Sequence, residues 1–77
     1  MSPSLDLLLS YYRRELAEVV QAAGGAATPP CPPGEEMRWA EAGEMSGRLP
    51  RERAMEIRRL AGRLRFYEDR ARAEVAV

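Results

Sequence analysis

The feature that most limits the fold of this chain is a cluster of prolines before its midpoint. The segment over residues 26–34 contains four of the chain's six prolines, Pro29, Pro30, Pro32 and Pro33. Because proline lacks an N–H donor and pushes the residue before it toward extended geometry, no helix can pass through this segment. A Gly-Gly pair at positions 24 and 25 ends any helix that approaches it. We therefore expect a stiff connector over residues 24–34.

The chain before the connector carries one apolar stripe at helical spacing. Its members are Leu5, Leu9, Tyr12, Leu16, Val19 and Ala23. Spacings of four and three residues place these side chains on one face of an α-helix. Pro3 suits the first turn, because the N–H that it lacks would have no partner there. The pattern predicts a helix over residues 3–23, about 31 Å long at 1.5 Å per residue.

A second stripe follows in the last third of the chain. Its members are Ile57, Leu60, Leu64, Tyr67 and Ala71. The pattern predicts a helix over residues 50–75, about 39 Å long. Two helices of similar length, each with an apolar repeat of 3.5 residues, bury their stripes most simply against each other. We expect an all-α fold in a single domain over residues 1–77, built on an antiparallel, coiled-coil-like hairpin of two long helices.

The segment over residues 35–49 is predicted to be a short helix or an irregular segment that caps one end of the hairpin. It begins with two glutamates, which favour a helix start, and Gly43 suits the end of that helix. Trp39 is the expected lid, because so large a side chain needs a partner surface. Its expected neighbours are Met37, Met45 and Leu49. A short β-hairpin that turns at residues 42–43 is the alternative.

The composition excludes most catalytic and metal chemistry. The chain has no His and one Cys, Cys31. His is the commonest general base, and structural zinc needs several Cys or His ligands. A lone Cys forms no internal disulfide, so the sequence does not imply an oxidising compartment. We expect a non-enzymatic, cytoplasmic protein without metal or cofactor, and no signal or membrane-spanning segment.

The net charge of zero conceals two oppositely charged halves. Residues 1–47 carry 3 Arg and 7 acids, a net charge of −4, whereas residues 48–77 carry 9 Arg and 5 acids, a net charge of +4. Most of the arginines near the start of the last helix lie opposite its apolar stripe. Nucleic-acid binding is therefore the alternative function. Its expected phosphate contacts are Arg51, Arg58, Arg59 and Arg63. A solvated helix face explains the same arginines without any ligand.

Two apolar patches are left over after the stripes are paired. Met55 and Phe66 project into the Arg-rich face, with Gly62 between them, and Leu7 and Tyr11 point away from the stripe of the first helix. Either the middle segment folds back over the Phe66 patch, or a second copy or a partner helix docks there.

The leftover patches and the missing catalytic chemistry favour a small helical interaction protein as the main hypothesis. We expect an adaptor, accessory subunit or inhibitor of a larger macromolecule, acting as a homodimer. The predicted partner-binding residues are Met55, Arg59, Arg63, Phe66, Leu7 and Tyr11.

Overall fold

Three helices make up the fold. The computed structural model describes residues 3–24 and 30–75. The helices are α1 (Pro3–Ala23), α2 (Glu36–Met45) and α3 (Arg51–Val75). Neither described range contains a strand. The all-α prediction is confirmed, and the β-hairpin alternative for the middle segment is wrong, because that segment forms α2.

The short helix α2 lies beside the first half of α3 and runs in the opposite direction. Met37 of α2 faces Gly62 of α3. One turn further along α2, Oε1 of Glu41 lies 3.8 Å from Nη2 of Arg58. A turn over residues 46–50 connects the two helices. The middle segment therefore contributes a helix alongside α3.

The two long helices pack against each other along their apolar stripes, and their contacts fit the predicted hairpin. Tyr12 of α1 stacks on Tyr67 in the second half of α3. At the C-terminal end of α1, a Cβ atom at Gly24 would lie 3.7 Å from Cζ2 of Trp39. Trp39 belongs to α2, which lies beside the first half of α3. α1 and α3 therefore run antiparallel.

The end of α2 differs from the sequence prediction. The helix continues past Gly43, which is buried, and stops only after Met45. Gly47 then takes φ 79°, and its N–H donates a hydrogen bond to the carbonyl oxygen of Glu44 at 3.2 Å. This left-handed glycine ends the helix, because residues with a Cβ rarely adopt that conformation. Met45 is 90% exposed, so its expected packing on Trp39 is wrong.

The predicted connector over residues 24–34 lies partly outside the described residues, which omit 25–29. Gly24 and residues 30–34 are not helical. The N–H of Glu35 donates a hydrogen bond to the carbonyl oxygen of Pro32 at 3.1 Å, which turns the chain into α2. The described part of the connector thus closes with a tight turn before the next helix.

The hydrophobic core is thin and lies on the sides of α3 that α1 and α2 cover. Its buried side chains are Leu5, Leu9, Leu16, Trp39, Ala40, Leu49, Ala54, Ile57, Leu64 and Ala71. Ile57 is the one large side chain that is fully buried in the part of the chain that the structure describes. A core of this size leaves little reserve of stability, as is typical of domains shorter than about 80 residues.

Gly62, in the middle of α3, has room for a methyl group. A Cβ atom there would meet only Cε of Met37, at 3.4 Å. Met37 is 38% exposed, and its flexible end can move aside. Because Ala is favoured over Gly in a helix interior, we expect Gly62→Ala to raise the free energy of unfolding by about 0.5–1 kcal/mol. Urea unfolding followed by circular dichroism measures this change, and a decrease would show that α2 requires the bare backbone at this position.

Candidate docking face

Four aromatic rings form a continuous row across the seam between α1 and α3. The rings, in order, are those of Tyr11, Tyr12, Tyr67 and Phe66, with successive centroids 5.3, 5.5 and 5.3 Å apart. Tyr12 and Tyr67 stack with 14° between their planes, and the two outer pairs meet edge to face. We call these four residues the aromatic row. It uses four of the chain's five aromatic side chains.

The aromatic row follows from two aromatic dipeptides, one on each long helix. Tyr12 and Tyr67 belong to the apolar stripes and are half-buried at the seam. Adjacent residues on a helix point about 100° apart, so Tyr11 and Phe66 turn outward from the seam. They are 56% and 59% exposed, respectively. The hairpin brings the two dipeptides to the same level, so that two separate apolar patches of the sequence become the two ends of one row.

Arg63 belongs to the same face. Its Nη1 donates a hydrogen bond to the hydroxyl of Tyr12 at 3.4 Å, and its side chain is exposed. This hydrogen bond raises the pKa of the Arg63 guanidinium, which is cationic at neutral pH in any case. The structure thus places a fixed positive charge beside the aromatic row. Tyr, Phe and Arg are all enriched in the centres of protein–protein interfaces.

The other predicted partner-binding residues are spread over the surface. Leu7 is 72% exposed and lies one turn before Tyr11 on α1. Met55 lies in a shallow depression between α2 and α3 that is lined by Met37, Met55, Arg58 and Arg59. Met55 and Phe66 are eleven residues apart on α3, or about 16 Å. The middle segment therefore reaches Gly62 and the surroundings of Met55, whereas Phe66 stays exposed.

The four arginines of the nucleic-acid alternative are all exposed on α3. Two of them already contact other helices: Arg58 pairs with Glu41, and Arg63 donates its hydrogen bond to Tyr12. The other two, Arg51 and Arg59, form no ion pair within the described residues. Arg58 is thus the one member of the expected phosphate-binding set whose charge is paired within the described residues.

An open groove of about 1150 Å³ lies on another side of the molecule, between α1, the end of the connector, α2 and α3. Its apolar lining includes Leu16, Val20, Trp39 and Leu64. Cys31 is half-buried at its edge. Burial raises the pKa of the Cys31 thiol, and the nearby carboxylates of Glu36 and Glu35 raise it further. A thiol with a raised pKa is a poor nucleophile, because the thiolate is the reactive form.

The described ranges contain neither a cluster of metal ligands nor a helix that could span a membrane. Within residues 3–24 and 30–75, no three Cys, Asp or Glu side chains lie close enough together to hold a metal ion. None of the three helices, over the residues described, has an apolar stretch long enough to cross a bilayer.

Comparison of the chain with models of protein families, with curated proteins and with solved structures finds no match. The geometry of the aromatic row and the charges around it are therefore the features of this chain that bear on its function.

Proposed function

We propose that this protein is a small, non-enzymatic, helical interaction module that docks another protein through the aromatic row. In this role it acts in the cytoplasm as an adaptor, accessory subunit or inhibitor. The observation that carries the proposal is the row itself, with exposed rings at both ends and the cation of Arg63 beside it. Large aromatic and Arg side chains dominate the binding energy of protein interfaces.

The packing of the row prepares it for binding. Tyr12 and Tyr67 are half-buried and stacked, and each supports an outer ring edge to face. Tyr and Trp supply large contact areas at low entropy cost, because they have few rotatable bonds. Tyr11 and Phe66 therefore lose little side-chain freedom when a partner covers them, and a preorganised surface binds more tightly than a mobile one of equal area.

The docking face that we propose includes all six of the predicted partner-binding residues. Phe66, Tyr11 and Arg63 form the centre of the docking face, and Leu7 and Arg59 extend it along the two helices. Met55 contributes at its far edge. Coiled-coil-like packing of α1 on α3 keeps the face rigid.

Site-specific photo-crosslinking in the host cells tests the proposal. A benzophenone amino acid at position 66 or 11 is expected to give the same cross-linked protein band, because both positions lie on one face. A matched control at Arg38 of α2, whose side chain is 87% exposed, is expected to give no such band. Equal labelling from all three positions, or none from positions 66 and 11, would contradict the proposal.

The same experiment addresses nucleic-acid binding through Arg51, Arg58, Arg59 and Arg63. In that case, the species cross-linked at position 66 would be removed by nuclease treatment, and binding would weaken steeply as salt is raised. A nuclease-resistant band supports protein docking. A nuclease-sensitive band would contradict protein docking and would support nucleic-acid binding.

A further inference from the structure

We infer that the partner of the aromatic row is a second copy of this chain, bound so that α1 of each copy lies against α3 of the other. This inference rests on the proposed function and names its partner. The two-fold axis of the dimer runs parallel to the helices, and the two hairpins form a four-helix bundle with the two aromatic rows face to face.

The small core of a single chain favours association with a second copy. The described part of the chain has one large, fully buried side chain, Ile57. It holds no disulfide, because Cys31 is the sole cysteine. Chains shorter than about 80 residues commonly reach adequate stability through disulfides, metals or oligomerisation. A second hairpin on the aromatic row would cover its exposed rings and would add an apolar layer beside the seam.

The charges on the two sides of the aromatic row are complementary between two copies. On α1, Glu15 and Glu18 follow Tyr11 by four and seven residues, and they share its side of the helix with one cation, Arg14. On α3, Arg63 and Arg59 precede Phe66 by three and seven residues. We call the first pair the acidic strip and the second pair the basic strip. Each copy therefore offers one strip of each sign.

Both strips are available to a partner. Glu18, Arg59 and Arg63 are exposed, and Glu15 is half-buried. None of these four side chains forms an ion pair in the described ranges. The acids on α3 nearest to Arg59 and Phe66 form ion pairs with other residues: Glu56 with Arg53, Glu68 with Arg13, and Asp69 with Arg72. Arg59 and Arg63 therefore have no ion-pair partner on their own helix.

The rings and the charged strips lie at matching heights along α1 and α3. Tyr12 is level with Tyr67 in the hairpin, so Tyr11 and Phe66 lie at nearly the same height. Glu18 lies seven residues after Tyr11, and Arg59 lies seven residues before Phe66. Each pair is therefore separated by about 10.5 Å along its helix. A two-fold axis parallel to the helices preserves height. It therefore places Tyr11 opposite Phe66 of the partner copy, and the acidic strip opposite the partner copy's basic strip.

The charges also select between the two ways in which the rows can meet. A two-fold axis perpendicular to the helices would place α1 against α1 and α3 against α3. That axis also reverses height, so with the two rows in contact the strips of the two copies would lie on opposite sides of the rows, and no acidic strip would face a basic strip. The aromatic rings supply the affinity in either arrangement, and the strips determine which one forms.

Light scattering and sedimentation on the full chain test whether two copies associate. We expect twice the mass of one chain, and Phe66→Glu is expected to weaken dimerisation by about 100-fold, because an isologous interface contains each substitution twice. Met45→Glu, at a 90% exposed position away from the row, is the matched control and should leave the mass unchanged. A monomer at every concentration, or a dimer that is insensitive to Phe66→Glu, would overturn the inference.

Charge reversal tests the orientation. One chain carries Glu15→Arg with Glu18→Arg, and the other carries Arg59→Glu with Arg63→Glu. Each alone should dimerise at least about tenfold more weakly than the parent, and an equal mixture should restore the dimer as a heterodimer. If the first chain dimerises as well as the parent, the acidic strip does not face the partner copy's basic strip and the inferred orientation is wrong. Circular dichroism of both chains checks that they remain folded.

The two proposals fail in different ways. A chain that is monomeric in solution, but whose position 66 cross-links to a different protein, would overturn the second copy and leave the proposed function standing. A monomeric chain without any cross-link at positions 66 and 11 would overturn both.

Discussion

Replacing Ile57 by Ala is expected to lower the free energy of unfolding by about 2–5 kcal/mol. Ile57 is 0% exposed and lies on the face of α3 that packs against the other helices. Ala54, one turn before it on α3, and Ala40 of α2 belong to the same core, are also fully buried, and are too small to fill the space that it would leave. The substitution therefore removes buried methyl groups and leaves a cavity, and both effects destabilise the fold.

A loss of this size is a large share of the total, because small domains unfold with about 5 kcal/mol or little more. Urea unfolding measures the change, at one fixed chain concentration because the proposed dimerisation would add to apparent stability. Ile57→Val should cost about 0.5–1.5 kcal/mol, and Met45→Ala on the exposed face of α2 should change the value by less than about 0.5 kcal/mol. An Ile57→Ala variant as stable as the Met45→Ala variant would show that the core is centred elsewhere.

Both long helices are predictable from local pattern. In α1, the regular spacing of apolar residues continues up to Ala23, and the Gly-Gly pair stops the helix where the structure stops it. In α3, Pro50 supplies the carbonyl oxygen that accepts the first helical hydrogen bond, from the N–H of Ala54 at 3.0 Å. Periodicity over many turns outweighs any single residue, so the bounds and the pairing of these helices follow from the sequence.

The middle helix is harder to predict, because two glycines compete to end it. Gly43 and Gly47 both suit a helix terminus by residue type. What separates them is a tertiary contact, since Leu49 returns over Gly43 and excludes a side chain there. The glycine at position 43 is thus required by packing within the helix, and Gly47 by its backbone conformation at the helix end. Local sequence contains no information about which glycine plays which part.

Only the separate parts of the candidate docking face can be predicted from the sequence. Tyr11 and Phe66 stand out in the sequence because each lies off its apolar stripe, and both are exposed in the structure. Their connection through Tyr12 and Tyr67 depends on the register between α1 and α3. Register is a property of two helices together, so no pattern within one helix reveals it. The two matched aromatic dipeptides were the available signal.

The close contact at Gly43 leads to the second large expected effect. A Cβ atom at this position would lie 2.6 Å from Cδ1 and 2.7 Å from Cγ of Leu49. Leu49 is 3% exposed and has little room to move. Its N–H also donates a hydrogen bond to the carbonyl oxygen of Gly43 at 3.0 Å, which holds the two backbones together. One extra methyl group therefore forces Leu49 out of its place in the core.

We expect Gly43→Ala to lower the free energy of unfolding by about 1–3 kcal/mol, although Ala is the better helix former. Gly62→Ala is the matched control, because it makes the same substitution within a helix where there is room, and its expected effect has the opposite sign. A double-mutant cycle with Leu49→Ala, read by urea unfolding, identifies the cause. Leu49→Ala destabilises the chain by itself, but in that background Gly43→Ala should cost nothing and should gain up to about 1 kcal/mol of helix propensity. If the full cost persists without the Leu49 side chain, overpacking against Leu49 is not the reason that position 43 requires glycine.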